Sequence, residues 1–175
     1  MSMSNRVNFP YPFMDKKVTI GISAFNEFRF LELLLATIQY YTLAPNYNVI
    51  VVDDGSPDVD TVKKIVEACK RFGADYIRHD RNKGVAASWN TACLHAKENG
   101  SEAVALLNSD ILTPPHWLEC ALYALFANVE MKHVGSVYWE PINFPYAHAY
   151  GLAKAVHMRL WDYAFPVVRQ DGRPG

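Results

Sequence analysis

Val49-Ile50-Val51-Val52-Asp53-Asp54-Gly55-Ser56-Pro57 decides how the chain is read. Four consecutive branched or β-favouring apolar residues make a strand that is greasy toward both faces, which a sheet accepts only when helices cover both sides. Two carboxylates and a glycine then end the strand, and Ser56 with Pro57 supplies an N-cap and a first helical residue. The predicted unit is a strand, an acidic turn and a helix.

The same unit recurs on both sides. Upstream, residues 17–25 read as a buried strand carried by Val18, Ile20 and Ile22. Asn26 is the expected cap of a helix whose apolar positions Phe28, Leu31, Leu34, Leu35 and Ile38 run until Ala44-Pro45-Asn46. Downstream, Val62, Ile65, Val66 and Cys69 mark a second helix that Gly73 ends. A short strand at residues 76–78 precedes a third helix on Val85, Trp89, Ala92, Cys93 and Ala96, which stops at Asn99-Gly100. An all-apolar strand at 103–107 and a fourth helix, begun by Thr113-Pro114-Pro115 and carrying Leu118, Ala121, Leu122, Leu125 and Phe126, complete the series. Four β-then-α units predict a doubly wound α/β fold on a parallel sheet.

Outside that series, residues 1–15 read as a loose start. After Val134 the rhythm changes: the aromatic, proline-punctuated segment from Tyr138 to Tyr150 cannot be one regular helix, and Leu152 to Leu160 fits either a strand or a helix. Half of the 175 residues are hydrophobic, enough for one domain-sized core without disulfides or structural metal. Lys and Arg number 17 against 18 Asp and Glu, with no basic block, so neither nucleic acid nor an anionic membrane is the expected partner. Cys69, Cys93 and Cys120 form no CxxC pair and read as buried small hydrophobes in a reducing compartment. No signal-peptide core and no stretch suited to spanning a bilayer is seen, so a cytoplasmic protein is expected.

In an open α/β sheet, ligands bind beyond the carboxyl ends of the strands. Those ends are Ala24-Phe25-Asn26-Glu27, Asp53-Asp54-Gly55-Ser56, His79-Asp80-Arg81-Asn82-Lys83-Gly84 and Asn108-Ser109-Asp110. Neither GxGxxG nor GxxxxGK[ST] follows the first strand, so no glycine loop cradles phosphates with backbone amides. A phosphate-bearing ligand here needs another counter-charge. A divalent metal, Mn2+ or Mg2+, held by strand-end carboxylates and sharing phosphate oxygens, supplies one.

Taken together, Ile22-Ser23-Ala24-Phe25-Asn26-Glu27, Val51-Val52-Asp53-Asp54-Gly55-Ser56, Asn82-Lys83-Gly84 through Asn90, and Leu107-Asn108-Ser109-Asp110 resemble the family-2 group of GT-A glycosyltransferases, from about Lys17 to about Gly135. The resemblance implies a GT-A (nucleotide-diphospho-sugar transferase) three-layer sandwich with a mostly parallel central sheet. Residues 16–175 would form that domain, with 16–133 the nucleotide-sugar-binding half and 134–175 the start of an acceptor-side region, cut short before its end. It implies an inverting, metal-dependent transfer of a sugar from a nucleoside diphosphate sugar donor to a saccharide or other hydroxyl acceptor.

Residue by residue, the resemblance implies that Ala24, Phe25 and Glu27 line the nucleobase and ribose pocket. Asp54 accepts a hydrogen bond from the base, and Asp53 shapes the turn or touches the ribose. Asn82, Lys83 and Gly84 lie beside the diphosphate or the sugar. Asn108-Ser109-Asp110 stands where the family carries its metal-binding DxD motif, so Asp110 is the principal metal ligand and Asn108 and Ser109 face the sugar. The first acidic position of that motif is an amide here, which contributes no charge. The general base expected of inverting members has no firm match: Glu140, Asp162 and Asp171 are the carboxylates available after Glu130.

Each assignment has a structural alternative. Asp53 and Ser56 also suit a turn and a cap, although adjacent carboxylates repel and call for a compensating partner. Asn82 and Gly84 suit a simple turn, Trp89 a core position, His148 and His157 no role in chemistry, and the aromatics of 138–150 packing as well as sugar stacking. Two other functions also stand. A sugar nucleotidyltransferase normally has a glycine- and basic-rich loop after the first strand, and Ser23-Ala24-Phe25-Asn26-Glu27 is not one. A non-catalytic or truncated nucleotide-sugar-binding module needs no base at all.

Overall fold

The computed structural model describes residues 13–127 and 133–134. Its elements run β1 (Val18–Ala24), α1 (Arg29–Tyr41), β2 (Tyr47–Asp53), α2 (Val59–Phe72), β3 (Asp75–Arg78), α3 (Val85–Glu98), β4 (Ala103–Asn108) and α4 (Trp117–Phe126). The chain divides into two compact units, Met1–Leu122 and Tyr123–Gly175, and all four strands belong to the first.

Every strand pair is parallel, in the order β3-β2-β1-β4. Crossovers between parallel strands are right-handed. Moving from β1 to β2 to β3 in one direction therefore puts α1 and α2 on one face, where they pack on each other. The return from β3 to β4 puts α3 on the opposite face, against β1, β2 and β4. The layers are those of the expected α/β sandwich.

Strand alternation divides the core between the two faces. Ile20 and Ile22 of β1, with Val49 and Val51 beside them in register, meet Leu31, Leu34, Leu35 and Ile38 of α1 and Ile65, Ala68 and Cys69 of α2 as buried residues. On the α3 side Ile50 and Val52 cluster with Ala92, flanked by Ile77. Gly21 lets α3 come close: a Cβ there would sit 2.5 Å from the Ala92 Cβ. Full burial on both faces, expected of every long strand, fails at β4. Val104 and Leu106 are each 36% exposed, because among the described residues β4 pairs with β1 alone.

The helix starts differ from the sequence reading. Asn26 takes a left-handed φ of 51° and caps nothing; Phe28 is the N-cap residue of α1, without a side-chain cap bond. Glu27 Oε1 accepts from Phe30 N instead (3.1 Å), because a longer side chain reaches the first turn from outside it. Helix α2 starts at Val59 rather than at Pro57, with Asp58 as its cap accepting from Thr61 N; Ser56 is wholly buried and committed elsewhere. Helix α4 starts at Trp117, after Pro114-Pro115 rather than with them. Its buried Glu119 accepts from the backbone of Leu43 and Ala44 through Oε1 (2.7 and 2.6 Å), and Trp117 Nε1 donates to Thr42 Oγ1 (2.9 Å). These contacts tie α4 to the end of α1. Gly73 ends α2 as expected, with φ 67°.

The start of the chain up to residue 12, the aromatic segment 138–150 and the stretch 152–160 lie outside the described residues. So do Glu140, Asp162 and Asp171.

Candidate functional site

Register aligns the strand ends. Arg78 pairs with Asp53, Asp53 with Ala24, and Ser23 with Asn108, so the residues singled out in sequence share one edge of the sheet. The ladder runs one residue further through Asp54 N to Ala24 O (2.8 Å) and His79 N to Asp53 O (2.9 Å). The order of strand addition reverses between β1 and β4, which run parallel: β1 leads away to β2, and β4 is reached from the far side of the sheet. Such a switch point opens a crevice between the two strand ends.

Asp53 and Asp54 are consecutive, so they face opposite sides of the sheet and avoid each other. Asp53 serves the α2 side and is fully buried. Its Oδ1 accepts from Ser56 N (2.9 Å) and Ser56 Oγ (2.5 Å), and its Oδ2 from Tyr76 OH (2.9 Å) and Arg78 Nε (3.2 Å). Arg78 also donates to Ser56 O (2.8 Å). Burial, then the adjacent Asp53 carboxylate, pushes the Tyr76 phenol well above its ordinary range, so it stays a donor. Ser56 Oγ in turn accepts from Asn26 N (2.7 Å), linking the turn after β2 to the one after β1.

Asp54 serves the α3 side and is 2% exposed. Its Oδ1 accepts from His79 Nδ1 (2.7 Å) and Lys83 N (3.0 Å), and its Oδ2 from Gly84 N (2.7 Å). Burial alone would raise its pKa; the hydrogen bonds from His79, Lys83 and Gly84 outweigh that and hold it below the ordinary carboxylate value. Between the two carboxylates, Gly55 has φ 75°, and a Cβ on it would lie 2.4 Å from the Arg81 carbonyl carbon. Only glycine allows the turn after β2 to seat against the loop after β3. Asn82 Oδ1 accepts from Gly84 N (3.1 Å), Lys83 Nζ pairs with Asp80 at the surface (2.7 Å), and Gly84, with φ 88°, opens α3.

Other predicted site residues are more open. Ala24 is buried, but Phe25 beside it is 45% exposed. At the end of β4, Ser109 is buried, while Asn108 and Asp110 are exposed. Among the described residues the Asp110 carboxylate has no hydrogen bond or ion pair. Nor do three or more His, Cys, Asp or Glu side chains gather into a metal-holding group among them.

Sequence placed Tyr76 and Arg78 in a strand and His79 at its end, but gave no role to these three or to Thr91. Each holds one of the two aspartates directly or through a neighbour, from an element remote in sequence, and no local pattern announces such pairing. Cys69, Cys93 and Cys120 form no disulfide with one another. Among the described residues no helix is long and apolar enough to cross a membrane.

Comparison with known proteins agrees with this architecture. The sequence model of the family described as Glycosyl transferase family 2 matches residues 19–165. A dolichol-phosphate mannosyltransferase of Pyrococcus furiosus is 30% identical over 99 residues, which are 57% of this chain and 27% of that protein. The mannosyltransferase PcManGT from Pyrobaculum calidifontis, solved in complex with GDP-Man and Mn2+, matches with a TM-score of 0.56 and 26% identity. The match covers 78% of this chain and 38% of that one. The fold is the GT-A type expected from sequence. The chain spans about a quarter of the length of the curated relative it matches.

Proposed function

The chain belongs to glycosyl transferase family 2, and on that premise we propose that it binds a nucleoside diphosphate sugar and serves its transfer to an acceptor hydroxyl. The observation that carries this reading is the alignment of polar strand ends at the β1/β4 switch point, with Phe25 and Asp110 exposed there. In this proposal the exposed Phe25 ring packs on the nucleobase, beside Ala24 and Glu27. The 82–84 segment borders the diphosphate or the sugar, and Asn108 and Ser109 face the sugar. Asp53, whose two oxygens accept four hydrogen bonds, acts by holding the turn after β2, while Asp54 holds the 82–84 segment and keeps one acceptor position on Oδ2 for the base.

A divalent cation at Asp110, shared with the donor, is part of the same proposal, supported by the exposure of that carboxylate. Mn2+ or Mg2+ bound there would offset charge on the departing diphosphate. The GDP-Man and Mn2+ named for the Pyrobaculum protein favour this chemistry. Transfer with inversion completes the proposal, with a base on the acceptor side; Glu140, Asp162 and Asp171 remain its candidates. Residues 16–133 would be the donor half and 134–175 the beginning of the acceptor half. Three cysteines outside any disulfide suit a reducing, cytoplasmic setting.

A second reading, a nucleotide-sugar-binding module that needs further chain for turnover, is favoured by the short span of the relatives covered. Thermal-shift measurement with UDP, GDP, dTDP and CMP, each with Mn2+ or Mg2+, tests binding. One nucleoside diphosphate should raise the melting temperature with metal more than without it. A flat response to all of them removes the donor-site proposal. Donor hydrolysis and sugar transfer then separate the readings: binding without turnover selects the module.

A further inference from the structure

His79 lies at the end of β3, 8% exposed, with both ring nitrogens engaged. Nδ1 is 2.7 Å from Asp54 Oδ1, and Nε2 is 2.9 Å from Thr91 Oγ1 on α3. Thr91 Oγ1 is also 3.1 Å from Ala87 O. A hydroxyl has one proton to give. If Thr91 gives it to Nε2, His79 is the neutral Nδ1–H tautomer; if Thr91 gives it to Ala87 O, His79 donates from both nitrogens. In either arrangement Nδ1 donates to Asp54.

What Asp54 holds is the backbone of the 82–84 segment, through Lys83 N and Gly84 N. The other side-chain ties of that segment are weak: the Asn82 bond to Gly84 N lies within it, and the Lys83–Asp80 pair is exposed. No side chain caps α3, whose N-cap is Gly84 itself. The orientation of the Asp54 carboxylate therefore sets the conformation of 82–84, and His79 is the only side chain that fixes that orientation among the described residues. Resting on the donor-site reading above, we propose that His79 is a positioning residue for donor binding, holding 82–84 in its receptive shape through Asp54 and anchored from behind by Thr91.

The test uses the whole chain and titrates GDP and UDP, each with Mn2+, by calorimetry. His79→Asn keeps an N–H donor near the Nδ1 position, whereas His79→Leu keeps bulk and removes both hydrogen bonds. Loss of a hydrogen bond to a charged group predicts nucleotide affinity at least about tenfold weaker in His79→Leu, with His79→Asn restoring it to within about threefold of wild type. A merely structural histidine would lower the melting temperature of His79→Leu and leave the affinity of its folded fraction unchanged, which overturns the proposal. Should His79→Leu not fold, imidazole nitrogen NMR on the wild-type chain decides. A protonated Nδ1, with 82–84 amide shifts moved by Thr91→Val, supports the relay; an unprotonated Nδ1 overturns it. Wild-type chain that binds neither nucleotide defeats the donor-site reading itself, a result distinct from normal binding in both His79 variants.

Discussion

The turn after β2 and the turn after β4 are both acidic, yet they are built in opposite ways. At Asp53-Asp54 every carboxylate oxygen already accepts a hydrogen bond from the protein, and both side chains are buried. At Asn108-Ser109-Asp110 the one carboxylate is exposed and, among the described residues, unbonded. A buried carboxylate held by several protein donors organises its own chain; a bare one at the ligand edge is open to something from outside. Two similar-looking sequence motifs thus divide into a scaffold and a proposed ligand, and the division depends on donors that neither motif contains.

Removing each carboxylate should expose that contrast. Asp53→Ala should have the largest effect on stability, because Ser56 N, Tyr76 OH and the Arg78 guanidinium lose a buried charged acceptor together. A loss of about 3–5 kcal/mol in urea unfolding is expected. A loss below about 1 kcal/mol would mean that these donors find water readily, and that Asp53 is no scaffold.

Asp54→Asn comes next, at about 1–3 kcal/mol, because an amide can accept through only one of its two terminal atoms. The effect should carry a pH signature. The Asp54 pKa is lowered in the fold, so its ionised form contributes stability that is present above the ordinary value of 3.8 and lost as pH falls through the lower folded value. Melting temperatures of wild type and Asp54→Asn should therefore converge in the acid limb below that value. Parallel curves down to the lowest pH at which both fold would contradict the bond pattern at Asp54.

Much of this architecture was legible in sequence because strand and helix periods are local. The runs at Val18–Ala24 and Val49–Val52, the stripe of α1 and the glycine ending α2 follow from neighbouring residues alone. Caps were less legible. Asn26 and Ser56 have the right chemistry, but the close approach of the first two turns draws Ser56 to Asn26 N and Asp53, leaving Asp58 to start α2. Burial of β4 was overestimated because its apolar run does not reveal how many strands pair with it. The candidate positions fall at one sheet edge because strand direction dictates it. Asp53 as a turn former was legible; the other partners of the two aspartates were not, since Tyr76, Arg78, His79 and Thr91 reach them only through tertiary structure.

Asp110→Ala should have the smallest effect on stability, within about 0.5 kcal/mol of wild type, as for an exposed residue without partners among the described residues. Its effect should appear in binding alone. Calorimetric titration of the nucleoside diphosphate selected by the thermal-shift screen, with and without Mn2+, into wild type and Asp110→Ala is the most direct test of the central claim. Mn2+ should strengthen binding to wild type and not to the variant, with equal melting temperatures for the two apoproteins. An equal gain from Mn2+ in both proteins would contradict that claim.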